Sequence, residues 1–367
     1  TTQSGSDRIY YLKSAVALWA RAPLWGSGAG TYGDLHPQVQ QRVVSASVSA
    51  HNFYVQTLAE LGIVGGLLLI AVLLALMAGL VRGWWRAGEL GAPLVLSVVA
   101  LLIHFGLDMD QRYPAVVVLL AVIVGLVYSQ SKETERRIGW PTLALAVLLL
   151  PVAISLFMSN TAYHRGQASL SNGDYQEATD EFASASQWPV YDPDAVGAEA
   201  IGWFSQGALQ PANRAADLAL ALDRARAAIR QDPTDSQHRQ IEARVLALQN
   251  DLPGAEAALR EALRLDPYNH PDYAWDLSNV YLRMNRPEDA VAVARAMLAQ
   301  YPISVISNRW VDPSVPVFVG NLWAVVGNVA LAKGDLVEAR ADAIQALTVD
   351  RTNLRGRALQ VQIDRQR

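Results

Sequence analysis

The chain has 367 residues, no cysteine and a formal net charge of -4. That length accommodates two or more domains; the lack of cysteine excludes disulfide staples and thiolate metal sites, and the slight acidity gives no support for nucleic-acid binding. Apolar residues make up 51% of the whole but crowd into the first half, which reads as membrane, while the second half reads as soluble.

In chain order, Thr1-Thr2-Gln3 shows neither an initiator Met nor a signal-peptide pattern, so the chain is expected to be a fragment. Residues 1–60 form the first region, an extracytoplasmic loop. An amphipathic helix is predicted from Asp7 to Ala20, carrying Arg8 and Trp19. Pro23 and the run Gly26-Ser27-Gly28-Ala29-Gly30-Thr31 then turn the backbone. No strand precedes that run and no Gly-Lys-Ser/Thr or Rossmann spacing follows it. It is therefore read as a turn near lipid head groups, with amides available to a phosphate. Ser49 is the expected N-cap of the next helix, which places His51 and Asn52 in its first turn. Asn52, Gln56 and Glu60 recur at helical spacing as a polar stripe, and the segment runs unbroken into an apolar span. Polar groups at such a place face a cavity rather than lipid. Glu60 lies roughly half a turn around the helix from His51, so the two do not form a dyad, and Glu60 is read as a brace for the loop or bundle.

Residues 61–158 contain four segments apolar enough to cross a bilayer, whose core needs about 20 residues as helix: Leu61 to Val81, Gly91 to Leu107, Tyr113 to Tyr128 and Ile138 to Met158. The middle two are short, contain His104 and are joined by Asp108-Met109-Asp110-Gln111-Arg112, so they are read as a re-crossing pair. Arg82 and Arg86 follow the first span, and Lys132, Arg136 and Arg137 follow the third; basic flanks stay in the cytoplasm. This puts residues 1–60, the hairpin at Asp108 to Arg112 and everything after about Ser159 outside. Trp84, Trp85 and Trp140 fall where interfacial anchors are expected.

Residues 159–367 carry an internal period. Gly166, Gly173-Asp174-Tyr175, Ala178, Phe182, Ala185 and Pro189 fit the tetratricopeptide repeat, as do Trp323, Gly327, Gly334-Asp335, Ala339 and Ala346. Between them Ala221, Ala255 and Ala290 are 34 and 35 positions apart, against a repeat unit of about 34. Five repeats are expected, with an insertion at Ile303 to Val317. Small residues let paired helices approach, and Gly-Asp or Asn-Asp turns the chain between them. Stacked repeats build a superhelix with a concave face, which implies binding rather than catalysis. Of the aromatic residues Trp188, Tyr191, Trp203, Trp275, Trp310 and Trp323, core filling accounts for most, and Trp310 in the insertion is the best candidate for an exposed, glycan-stacking ring. The fold class expected is all-α, a polytopic transmembrane bundle followed by a soluble tetratricopeptide-repeat superhelix.

Arg8, Trp19, Pro23, the glycine-rich turn and His51-Asn52 followed by Glu60-Leu61-Gly62-Ile63-Val64-Gly65 together resemble the large external loop of the O-antigen ligase and O-antigen polymerase family of membrane glycosyltransferases. The resemblance covers roughly residues 5 to 128, and family members carry further spans before the position of Thr1. It implies an inverting, metal-independent transfer of a glycan from a polyprenyl-diphosphate carrier to a glycan, lipid or protein acceptor outside the cytoplasmic membrane. His51 matches the histidine that activates the acceptor, since a neutral imidazole can take a hydroxyl proton. Arg8 matches the loop arginine, whose planar fork suits a diphosphate. Arg21 and Arg42 are weaker candidates for the same electrostatic work, and Asn52, Tyr54 and Glu60 complete the proposed substrate-binding set. Two Asp-x-Asp triplets have the form by which sugar-nucleotide transferases hold a metal. Asp192-Pro193-Asp194 falls in a repeat linker and reads as structural; Asp108-Met109-Asp110 is on the side of His51, with pairing between Asp108 and Arg112 as its plainer reading. Neither a metal ligand nor a cofactor is expected. A protein partner on the repeats and contact with membrane lipids are. The alternative is a non-catalytic, membrane-anchored repeat scaffold for cell-envelope polysaccharide assembly.

Overall fold

The computed structural model describes residues 2–43, 47–86, 91–108, 114–129, 140–188, 192–210, 213–306 and 312–366; among them there are helices and no strand. They form two compact units, Thr1–Gln40 with Ala46–Ala146, and Gln41–Ser45 with Val147–Arg367. The basic residues Lys132, Arg136 and Arg137, the segment from Met109 to Arg112, and Tyr191 and Trp310 lie outside the described residues.

In the first unit, α1 (Thr2–Arg21), α2 (Tyr32–Leu35) and a 3-10 turn (His36–Val39) precede α3 (Phe53–Arg86), α4 (Gly91–Phe105) and α5 (Pro114–Ser129). Ala15 and Leu18 of α1 bury against Tyr32, Ala50 and Ala59, with Trp19, Leu35, Val39 and Val55 around them. The small residues let α1 lie close to the start of α3. Leu80, Val95 and Val98 form a second apolar cluster between α3 and α4. α3 is long and apolar enough to cross a bilayer, and Leu67, Leu68, Ile70, Val72 and Leu74 are all exposed on it. A helix apolar around its circumference matches lipid rather than water.

α3 is not continuous as the sequence pattern implies. Gly62 adopts φ 65°, ψ -165° and breaks it. The break frees two carbonyls before it and two amides after it, and the glycine-rich loop satisfies them: Ser27 N donates to Ala59 O (3.0 Å), Gly28 N to Glu60 O (2.8 Å), Ile63 N to Pro23 O (2.9 Å) and Val64 N to Leu24 O (3.2 Å). The approach demands glycine on both sides. A Cβ on Gly26 would stand 2.3 Å from Glu60 C, and one on Gly62 2.3 Å from Leu24 O.

α6 (Trp140–Asn172), which contains Pro151, begins in the last residues of the first unit and continues into the second, where it supplies the first repeat helix. Leu148, Leu150, Leu156 and Phe157 are exposed on it. The helices α7 (Tyr175–Ser186), α8 (Pro193–Leu209), α9 (Arg214–Gln231), α10 (Ser236–Leu248), α11 (Leu252–Leu265), α12 (Pro271–Arg283), α13 (Pro287–Leu298), α15 (Val315–Ala332) and α16 (Leu336–Val349) complete the hairpins of the expected repeats. A short α14 (Ile303–Ile306) occupies the expected insertion and α17 (Leu354–Arg365) closes the array. α15 is also long and apolar enough to cross a bilayer, but more than half of it is buried, so it is a core helix of the repeats.

Four hairpin turns share one device. Gly173, Asn250, Asn285 and Gly334 take positive φ, and the next amide reaches back five residues, from Asp174 to Ser169 O, Asp251 to Leu246 O, Arg286 to Tyr281 O and Asp335 to Ala330 O. This is the Schellman closure that a left-handed residue permits. Ala178, Ala221, Ala255, Ala290 and Ala339, one per hairpin, are fully buried. Trp203, Trp275 and Trp323 pack against repeat clusters, as core filling requires, whereas Trp188 is half-buried beyond the end of α7.

Candidate active site

His51 stands just before α3, not in its first turn. Its φ of 50° is left-handed, a conformation uncommon for a residue other than glycine. The cap of α3 is Asn52 rather than Ser49: its Oδ1 accepts from Val55 N at 3.0 Å, while its Nδ2 donates to Gly106 O at 2.7 Å. Both residue types make good caps, and the tie to the end of α4 decides between them.

From this position the His51 ring meets Asp108, the residue just past α4. Nδ1 lies 3.0 Å from Asp108 Oδ1. Arg8 on α1 completes the chain, donating through Nη2 to Asp108 Oδ2 at 2.9 Å and through Nη1 to Leu107 O at 3.0 Å. Arg8, Asp108 and His51 thus come from three segments to one carboxylate-centred group. It stays open to solvent, with side-chain exposures of 47%, 29% and 31% in that order. With Asp108 accepting from Nδ1–H, Nε2 is left as the basic nitrogen, and Ser47 Oγ sits 3.3 Å from it.

The remaining candidates are placed as follows. The polar stripe exists and is a hydrogen-bonded spine. Gln56 Oε1 accepts from Ala50 N (2.9 Å) and its Nε2 donates to Glu60 Oε1 (2.8 Å), while Gly30 N and Tyr32 N donate to the Glu60 carboxylate at 2.9 and 3.3 Å. Glu60 therefore braces the loop. The amides of Ser27, Gly28 and Gly30, read in the sequence as available to a phosphate, are taken by α3. Tyr54 donates to Leu102 O at 2.5 Å and fastens α3 to α4. Arg21 is exposed at the end of α1 and donates to Gln38 O at 3.3 Å. Arg42 falls in Gln41–Ser45, which groups with the second unit.

Sequence reasoning missed Ser47, the Asp108 bridge and an aromatic bed. Tyr11 is buried with its ring 5.6 Å from that of His51 and 5.5 Å from that of His36. Tyr32, wholly buried, donates to Tyr11 O at 2.9 Å. Burial, reinforced by Tyr11 and Tyr10, pushes the Tyr32 phenol far above its usual range, so it remains a donor. The recurrence of Tyr10-Tyr11 and Tyr32-x3-His36 on flanking helices was the only sequence signal.

Residues 1–70 match the O-antigen ligase family, and residues 212–270 match the tetratricopeptide repeat. No curated protein matches the chain. Among solved structures, a thermophilic TPR protein of Thermus thermophilus is 18% identical, with 56% of this chain and 97% of that one covered at TM-score 0.41. MamA is 14% identical, covering 53% and 92% at TM-score 0.39. PilF of Pseudomonas aeruginosa is 17% identical, covering 57% and 99% at TM-score 0.36.

Proposed function

From a chain that carries an O-antigen ligase domain followed by tetratricopeptide repeats, we propose a multi-pass glycosyltransferase of the cytoplasmic membrane. It moves a glycan from a polyprenyl-diphosphate carrier to an acceptor on the outer side, where the repeats also lie. The observation that carries this reading is the Arg8–Asp108–His51 chain, an imidazole and a guanidinium held on one carboxylate beside an apolar span.

In the proposed reaction His51 Nε2 takes the proton of the acceptor hydroxyl, from the place where Ser47 Oγ now stands. The freed oxygen attacks the anomeric carbon as its bond to the diphosphate breaks, and the configuration inverts. Asp108 holds the imidazole in the tautomer that leaves Nε2 basic and balances the imidazolium that forms, a division of labour familiar from other histidine bases. Arg8 uses two of its five N–H donors on Asp108 and Leu107 O. Those that remain face the leaving diphosphate and stabilise charge that develops in the transition state. Arg21 and Arg42 are further cations for the carrier. The charge is met by guanidinium, so the transfer needs no metal at this site. Asn52 and Tyr54 keep the end of α4, and with it Asp108, beside His51. The repeats hold the acceptor, the growing polymer or a protein of the assembly. Ligase, polymerase and protein-glycosylating enzymes differ in the acceptor, which an assay identifies.

The test incubates the full-length protein with lipid-linked glycan and candidate acceptors. His51→Ala should lose about 10²–10⁴-fold in turnover with expression and membrane insertion unchanged. A variant that keeps more than about half the wild-type rate overturns the assignment.

A further inference from the structure

Three side chains of successive repeat hairpins converge where α8 and α10 begin. Asp194 is in the first turn of α8, Asp235 caps α10 and His238 is in the first turn of α10. One ligating atom from each lies within 4.8 Å of the others. Asp235 is held in place, since its Oδ1 accepts from Gln237 N at 2.6 Å. Its other oxygen, Oδ2, faces His238 Nε2 at 3.4 Å.

His238 is 3% exposed, and neither ring nitrogen has a hydrogen-bond partner among the described residues. A buried imidazole left so is costly, and native structures rarely keep such a group without a reason. The ring is admitted by Gly197 on α8. A Cβ there would stand 2.6 Å from His238 Cε1 and 2.7 Å from Nδ1. In this slot Nε2 faces Asp235 Oδ2.

Charge-assisted N–H···O contacts run about 2.7–2.9 Å, shorter than the 3.4 Å found here. Two donor atoms each about 2.0–2.2 Å from a tetrahedral ion stand about 3.4 Å apart. We propose that Asp194, Asp235 and His238 form a divalent transition-metal site, with Zn²⁺ as the fitting ion and water in the fourth position. One imidazole and two carboxylates supply too few oxygens for Ca²⁺ and no thiolate for Cu(I). The ion joins two consecutive hairpins and offsets the two carboxylates that meet at this corner. The Asp192-Pro193-Asp194 triplet then divides its work: Asp192 caps α8 through Ala195 N at 3.0 Å, and Asp194 binds metal. This inference is independent of the glycan-transfer reading.

His270 provides a control in the next hairpin. Its nitrogens face two different carboxylates, Nε2 at 3.6 Å from Asp266 Oδ2 and Nδ1 at 3.5 Å from Asp272 Oδ1, so they do not converge on one point. The test strips the full chain, purified in detergent, with a chelator and titrates Zn²⁺ against a chromophoric competitor, with Ca²⁺ in parallel. Wild type and His270→Gln should bind one Zn²⁺ that raises the thermal midpoint, with Ca²⁺ without effect. His238→Gln and Asp194→Asn should weaken it tenfold or more and lose the shift in midpoint. Absence of competition by wild type, or equal affinity in Asp194→Asn, whose exposed position keeps the fold intact, overturns the site.

Discussion

In the proposed reaction Asp108 gives His51 its direction, because a carboxylate 3.0 Å from Nδ1 leaves Nε2 as the base. Asp108→Asn keeps the shape but removes that bias and leaves the imidazolium without a counter-charge. It should lower turnover on the order of 10²-fold or more, with a smaller change in carrier affinity. Steady-state kinetics in the transfer assay decides, and an unchanged kcat would reduce Asp108 to an anchor for Arg8. Sequence reading reached part of this site. His51 drew attention through the polar residues that lead into an apolar span, and Arg8 through the family resemblance. Their common partner was not legible, since the contact of His51 with Asp108 spans 57 positions and no periodicity encodes a contact between separate segments. The left-handed backbone of His51 was equally hidden, because histidine between Ala50 and Asn52 is as compatible with a helical first turn as with a pre-cap bend.

Among elements, the hairpins were legible almost to the turn. Small residues at a fixed period and a Gly or Asn before Asp or Arg are local codes for close packing and a left-handed cap. The break in α3 was not legible, because Gly62 within an apolar run is tolerated in a membrane helix and only the returning loop forces it open. Gly26→Ala tests that stitch. Its Cβ would meet the Glu60 carbonyl carbon at 2.3 Å with φ at +71°, so the variant should fail to yield monodisperse, protease-resistant protein in detergent. A wild-type yield and unfolding midpoint would show the stitch to be dispensable. In the repeats, burial and then Glu338 push the Asp342 carboxyl up to about 6, against the opposing influence of Arg295, and its Oδ2 has no hydrogen-bond partner among the described residues. A folded value above the unfolded one of about 3.9 means that protonation favours the fold. That stability is present below about pH 4 and lost as pH rises through about 6. Asp342→Asn should therefore raise the repeat unfolding midpoint at pH 7 and leave it unchanged near pH 4. An equal effect at both pH values would assign the gain to packing.

At the scale of the whole molecule, the proposal stands on which parts of the chain share a side of the membrane. The chain has no cysteine, so single ones report cleanly. An impermeant thiol reagent on intact cells should label a cysteine at Ser171, exposed on α6, and not one at Ser131, which lies outside the described residues. The opposite pattern would invert the topology and remove His51 from the outer side. In the proposed topology the break at Gly62 also sets an order of events during synthesis. Peptide groups cannot be left stranded in hydrocarbon, yet α3 contains two carbonyls and two amides that only Pro23 to Gly28 satisfy. Those partners precede α3 in the chain, so they have already been translated and exported when Ile63 and Val64 emerge. The nascent span leaves the insertion machinery beside the acceptors and donors it needs, and vectorial synthesis from the N-terminus is what makes a broken helix safe to release into the bilayer.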